Sequence, residues 1–265
     1  MHVKLAIIGG SLLKQLDSLA ESKQERVKTP FGKASDNFTS GIIEGLEVVY
    51  FNRHGTSRHH IAPHQVNYKA NMFALKILDV THVIAVTAVG GITERMSPMK
   101  WAVPDQLIDY THGRIQTYND VNDDEVNHID FSYPFDEMLC DKLIRSLHME
   151  ACEFEVDGTY GVTQGPRLET VAEIKRMQND GCDIVGMTAM PEASLARELE
   201  MPYAQLSLVV NWAAGAGPAS ADGPGATGRH EVISMDEIRA RISEGDVVAD
   251  RLVNRLVSQL LSDAG

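Results

Sequence analysis

Val3-Lys4-Leu5-Ala6-Ile7-Ile8-Gly9-Gly10 decides the fold class. The run Val3–Ile8 is apolar apart from Lys4 and stops at two glycines, so it reads as a buried strand leaving into a tight loop. Further along, Glu47–Phe51, Val83–Val86 and Ala204–Val210 repeat the pattern of a short apolar run, and Thr159–Thr163 and Asp183–Val185 read as shorter extended pieces. Between them lie helical patterns. From Gln65 to Leu78 the residues Val66, Ala70, Phe73, Ala74 and Ile77 recur at helical spacing, and Asp136–Met149, Thr170–Gln178 and Glu192–Glu200 read as helices. Val248, Leu252, Leu256 and Leu260 mark a long amphipathic helix at the C-terminal end. Strands alternating with helices predict an α/β fold around a largely buried sheet. No linker and no internal repeat divides it, so residues 1–265 are expected to form a single domain. Ala213–Gly228 is nearly all Ala, Gly, Pro and Ser, with Asp222 its only charge, and reads as a mobile loop. It follows Asn211 at a strand end, where α/β proteins place ligands.

Composition narrows the function. The 265 residues are 43% hydrophobic and 23% charged, with a formal net charge of −13. That excess of acid argues against a broad nucleic-acid surface, which needs many Lys and Arg facing phosphates. A small anion pocket is still allowed, because a few cations and backbone N–H groups make a local positive site. Cys140, Cys152 and Cys182 are widely spaced and form no CxxC, so they are expected to be reduced thiols in a cytoplasmic protein. The apolar run near Met1 is too short for a signal peptide or a membrane span, and no membrane partner is expected.

Three strand-end loops suit an anion. Gly9-Gly10-Ser11 offers close backbone approach and a hydroxyl, though it lacks the spacing of a dinucleotide site. Arg53-His54-Gly55 adds a guanidinium whose planar fork matches phosphate. Thr87-Ala88 adds a hydroxyl and a backbone N–H. Each alone is equally an ordinary turn, and their joint occurrence after three strands carries the argument. The histidines of Arg58-His59-His60 and His64 invite a metal reading, but no carboxylate or thiolate stands at a fitting spacing, and no metal is expected. Gln164-Gly165-Pro166-Arg167-Leu168-Glu169-Thr170 leads into a helix, and Glu169 or Thr170 is equally a helix-start residue.

Taken in order, Ile7-Ile8-Gly9-Gly10-Ser11, Arg53-His54-Gly55, Pro63-His64-Gln65-Val66-Asn67-Tyr68, Thr87-Ala88-Val89-Gly90, Thr163-Gln164-Gly165-Pro166-Arg167, Gly186-Met187-Thr188, Pro191-Glu192 and Asn211 resemble the trimeric purine nucleoside phosphorylase and methylthioadenosine phosphorylase family. The resemblance implies a mixed, distorted barrel-like sheet flanked by helices. It also implies phosphorolysis of a purine nucleoside without a cofactor, inorganic phosphate being a co-substrate. By matching position, Ser11, Arg53, His54, Thr87 and Ala88 would cradle phosphate. Thr188 would contact phosphate and, with Met187, the ribose. His59, not separable from His60 by spacing, would lie near both. Leu168 would line the base pocket, and Glu169 and Asn211 would read the purine edge, with Asn211 assisting the leaving base. His128 would serve a neighbouring subunit's sugar pocket in a homotrimer. One departure stands out: Leu12 occupies the place of a family glycine. Leucine does not take positive φ cheaply, so this loop is expected to differ.

Two features bear on the substrate. A carboxylate at Glu169 only accepts hydrogen bonds, which suits the N1–H of a 6-oxopurine and opposes the lone pair of adenine N1. Aligned with the methylthioadenosine branch, Met235 takes the place of a histidine that bonds the 5′-hydroxyl in other members, and Ile238 lies one turn on. Together these point to 5′-methylthioinosine. If the register slips, His230 becomes the hydroxyl partner and an ordinary inosine or guanosine phosphorylase results. If Glu169 does not meet the base, a methylthioadenosine phosphorylase does. From another class, a nucleoside-sensing protein without turnover is the alternative, with Leu12 its main support.

Overall fold

The computed structural model describes residues 2–55, 60–120, 125–217 and 233–264. The run that opened the sequence reading forms strand β1, Lys4–Gly9, in the middle of an eleven-stranded mixed sheet. In chain order there follow β2 (Ala20–Glu25), the two-residue pair β3 (Lys28–Thr29) and β4 (Gly32–Lys33), β5 (Phe38–Ile43) and β6 (Leu46–Asn52). Helix α1 (Tyr68–Ile77) precedes β7 (His82–Gly91), β8 (Trp101–Val103) and β9 (Gln106–Asp109). Then come α2 (Glu137–Met149), β10 (Phe154–Val156), β11 (Thr159–Val162), α3 (Val171–Asn179) and β12 (Ile184–Gly186). Helix α4 (Ala189–Glu198), β13 (Tyr203–Trp212) and α5 (Met235–Ala264) complete the chain.

β6, β1, β7 and β13 are consecutive parallel neighbours, so their C-terminal ends meet at one edge. The sheet forks at β7. Its first half pairs with β1, while Gly90 and Gly91 pair antiparallel with β12, which continues through β11 to β9. This fork makes the sheet mixed and distorted, as the resemblance implies. β7 therefore runs past Val86 to Gly91, and Thr87 and Ala88 lie within the strand rather than beyond its end.

Both faces of the sheet are covered. Leu5 and Ile7 of β1, Ile84 and Val86 of β7, and Leu206 and Leu208 of β13 pack with Leu139 and Leu143 of α2 and Leu252 and Leu256 of α5. The alternate residues Ala6, Ile8, Val83 and Ala85 pack with Met72 and Leu75 of α1 and Ala193 and Ala196 of α4 on the other side. Side chains on a strand alternate between faces, so a strand buried on both reads as a continuous apolar run.

The helices start and stop near the expected places, and Asp136, Thr170 and Asn67 cap α2, α3 and α1. In α4, Met190 and Pro191 have non-helical dihedrals, so its regular part begins at Glu192. Glu47–Phe51, the second apolar run along the chain, falls in the sixth strand rather than the second. β2, Ala-Glu-Ser-Lys-Gln-Glu, is an exposed edge strand with no apolar alternation, and β3 and β4 have two residues each. Such pieces leave no periodic signal. Among the described residues no helix is long and apolar enough to cross a membrane.

Candidate active site

The meeting of the parallel strand ends opens a cavity of about 350 Å³. Its anion side is built from three consecutive strands. Ser11 comes from the turn after β1, Arg53 and His54 follow β6, and Thr87 and Ala88 come from β7. Gly9 is needed for this closeness: a Cβ there would stand 2.2 Å from the Leu13 carbonyl oxygen. Leu12 is not among the residues with positive φ. Its side chain is fully buried in the core, and Leu13 instead has φ 57°. That strained residue is held at both ends: its N–H donates to Asp246 at 2.6 Å and its carbonyl accepts from the Tyr50 hydroxyl at 2.7 Å. The leucine therefore anchors the loop to the core.

Arg53 is 1% exposed and lines the cavity. Nε and one N–H of Nη2 donate to the two oxygens of Glu192, at 2.7 and 3.0 Å, and Nη1 lies toward the glycine loop. Glu192 thus takes the Nε–Nη2 face of the guanidinium, and the Nη1–Nη2 end is the part not used by it. His54 Nδ1 donates to the Ile61 carbonyl at 2.9 Å. Burial first, and the Arg53 charge second, push the His54 pKa down to about 4, so near pH 7 the ring is neutral with Nε2 as an acceptor. The Thr87 hydroxyl pairs with the buried Ser207 hydroxyl at 2.8 Å. If Ser207 donates, the Thr87 proton is released toward the cavity. Thr188, the N-cap of α4, makes no side-chain capping bond and also lines the cavity.

Leu168, Glu169 and Asn211 line the same cavity. Thr170 takes the helix-start role, forming a capping box with Glu173, which leaves Glu169 out of the helix. The Thr163 hydroxyl donates to Glu169 Oε1 at 2.6 Å, so Oε2 is the oxygen left to accept. In β13 the register slips between Val209 and Asn211, a β-bulge that puts both Val210 and Asn211 on the cavity wall. Met187, Met235 and Ile238 line the remaining side together with Ile233 and Ile242.

Twelve of the fourteen expected site residues thus share one cavity. Of the other two, His59 lies outside the described residues, as does His230. His60 lines the cavity and stacks on His54 with ring centroids 5.3 Å apart. His128 is exposed and is not part of this cavity in its own chain. Among the described residues no cluster of His, Cys, Asp and Glu could hold a metal. Glu192 and Thr163 stand in the stretches that carry the resemblance but have no role there, and Ser207 and Arg114 stand in none of them. The Arg114 guanidinium donates to the carbonyls of Gln164 at 2.9 Å, Met187 at 2.8 Å and Met190 at 2.6 Å. It ties the loop before Glu169 to the loop carrying Met187 and Thr188, and nothing local in its segment signals that.

The profile of the phosphorylase superfamily matches residues 4–244. The chain belongs to this superfamily. Among its relatives, a probable S-methyl-5′-thioinosine phosphorylase of Pseudomonas syringae pv. tomato is 48% identical over 240 residues, 91% of this chain and 92% of that protein. The 6-oxopurine nucleoside phosphorylase of Pyrococcus furiosus is 42% identical over 218 residues, 80% of each chain. Among solved structures, a methylthioadenosine phosphorylase from an antarctic soil metagenomic library superposes with TM-score 0.86 at 31% identity, covering 100% of this chain and 89% of that one. The Schistosoma mansoni methylthioadenosine phosphorylase in complex with adenine gives TM-score 0.85 at 28% identity, covering 98% and 92%. Phosphorylases named for 6-oxopurine and for methylthio nucleosides thus share this architecture, so the cavity walls of this superfamily member must carry its selectivity.

Proposed function

We propose that this phosphorylase splits S-methyl-5′-thioinosine with inorganic phosphate, giving hypoxanthine and 5-methylthioribose 1-phosphate. The observation that carries the reading is a single cavity lined both by Glu169 and Asn211 and by the apolar Met235, Ile238, Ile233 and Ile242. Phosphate sits among Ser11, the Arg53 Nη1 edge, His54, Thr87, Ala88 and Thr188, below the sugar. As the bond from C1′ to the base breaks, the sugar becomes oxocarbenium-like, and the adjacent anion stabilises it. A phosphate oxygen then bonds to C1′, while the bond electrons leave with the base, which takes up the proton that hydrogen phosphate gives up. Asn211 stabilises that base by donating to its N7 side, and Glu169 Oε2 accepts the N1–H. Preorganised donors of this kind contribute most where charge develops. No covalent enzyme intermediate and no cofactor enters the scheme.

The 5′-methylthio group rests on the apolar wall, with His59 or His60 beside the ribose. Burying such a group is worth about 1–3 kcal/mol, and a buried hydroxyl without a partner costs a similar amount. In side-by-side assays, kcat/KM for methylthioinosine is expected to exceed both inosine and methylthioadenosine by at least about tenfold. Inosine equal or better would show a polar 5′ pocket, with His230 the residue to suspect. Methylthioadenosine in front would overturn the role of Glu169. Absence of phosphate-dependent base release with any of the three would favour a binding protein.

The assembly reading is a homotrimer in the cytoplasm, supported by the exposed His128 and by the family's use of that position. His128→Ala is expected to raise KM for the nucleoside about threefold to tenfold, the cost of one hydrogen bond, while leaving the melting temperature nearly unchanged. A fully active monomer by light scattering would remove the reason for this role.

A further inference from the structure

Glu192 is 1% exposed, at the start of the regular part of α4, and is not one of the residues lining the cavity. It is nevertheless the partner of the one cation that lines the anion side among the described residues. Its Oε1 accepts from Arg53 Nε at 2.7 Å, and its Oε2 accepts from Arg53 Nη2 at 3.0 Å and from the Tyr203 hydroxyl at 3.1 Å. Behind Tyr203, Gln205 Nε2 donates to that hydroxyl oxygen at 2.9 Å. Gln205 and Tyr203 are 0% and 2% exposed. The polarity of this chain is one-way: an amide N–H can only donate, so the single phenolic proton points on to the carboxylate, which only accepts.

The guanidinium is thereby oriented. Glu192 takes Nε–H and one N–H of Nη2, and Nη1 donates to the Val86 carbonyl at 3.2 Å. Nη1 also lies 2.8 Å from where a Cβ on Gly10 would stand, so its outer edge faces the glycine loop. A cation with so little water around it needs a buried counter-charge in fixed geometry. Without one, its plane is free to turn to other acceptors, and the Nη1 edge no longer points into the cavity.

We infer that Glu192 is a positioning residue for phosphorolysis: by gripping the Nε–Nη2 face of Arg53, and being held in turn by Tyr203 with Gln205 behind it, it aims the Nη1 side toward the phosphate. This rests on the phosphate reading of the cavity given above. It goes beyond it, because the anion site is set by a carboxylate that never meets the anion.

A purely structural ion pair would weaken every ligand alike, whereas a positioning role is selective. The test uses Glu192→Gln, Tyr203→Phe and, in parallel, Arg53→Lys in the full chain. It measures KM for phosphate and kcat in steady state, and Kd for hypoxanthine by titration calorimetry. In Glu192→Gln one acceptor becomes an N–H₂ that faces an Arg53 N–H, so KM for phosphate is expected to rise at least about tenfold. In Tyr203→Phe the carboxylate keeps its charge but loses one tether, and the rise is expected to be about twofold to fivefold. Hypoxanthine Kd should stay within about twofold in both, since Glu169 and Asn211 lie on other elements. If the phosphate KM of both variants stays at the wild-type value, or if hypoxanthine affinity falls in step with phosphate affinity, Glu192 is only a structural counter-ion. If Glu192→Gln does not fold, Tyr203→Phe decides by the same two readouts. Arg53→Lys separates the layers. An unchanged phosphate KM there sinks the phosphate reading itself, while a raised one beside unaffected Glu192→Gln and Tyr203→Phe sinks only the positioning role.

Discussion

Replacing Asn211 by alanine is expected to lower kcat for nucleoside phosphorolysis by about 10²–10³-fold, with KM changing much less. The difference arises because the leaving base carries little extra charge in the bound nucleoside and much of a negative charge in the transition state. A donor aimed at the base therefore gains strength along the reaction, and its loss falls on kcat. The structure supplies the aim. Asn211 follows the β-bulge in β13, and its Nδ2 already donates to the Trp212 carbonyl at 2.6 Å. That bond holds the amide in one orientation, leaving its second Nδ2–H for the substrate. Asn211→Asp keeps the size and removes the donor, so it should be impaired as severely as the alanine variant. Steady-state assays with methylthioinosine at saturating phosphate give the answer. A loss below about fivefold, or one confined to KM, would mean that the base leaves without help from this side chain.

Glu169→Gln is expected to lower kcat/KM for 6-oxopurine nucleosides by about 10- to 100-fold and to shift the preference toward 6-aminopurines. Thr163 decides the direction. Its hydroxyl donates to Oε1 of Glu169 at 2.6 Å and lies farther, 3.3 Å, from the Gly186 carbonyl. In the glutamine variant the amide oxygen should take that donation, which turns the N–H₂ toward the base. There it opposes the N1–H of hypoxanthine and suits the N1 lone pair of adenine. The readout is the ratio of kcat/KM for methylthioinosine to that for methylthioadenosine in variant and wild type. An unchanged ratio would remove Glu169 from base recognition.

What could be read along the chain follows from how each element is buried. β1, β7 and β13 are covered on both faces, so their apolar runs identify them without any knowledge of their neighbours. The capping box of α3 is equally local, because Thr170 and Glu173 are three residues apart. β2 was invisible because an exposed edge strand of Ala, Glu, Ser, Lys and Gln buries nothing periodic. Its pairing with β5 is set by backbone hydrogen bonds that any such residues could make. The loop at Leu12 shows a related limit. Sequence shows a residue type where glycine was expected, but not which neighbour takes the unusual backbone conformation, and Leu13 takes it.

The sequence by itself determined the α/β class, the parallel strands whose ends form the site, and most of the residue types on its walls. These depend on short-range sterics and on burial patterns a few residues long. Only the tertiary structure decided how those residues are used. Arg53 and Glu192 are 139 positions apart, Thr87 and Ser207 are 120 apart, and Arg114 reaches Met187 across 73. Hydrogen bonds and ion pairs act over about 3 Å of space whatever the separation along the chain. Their partners are therefore chosen by which strand ends the folded sheet brings together, and no local pattern records that choice.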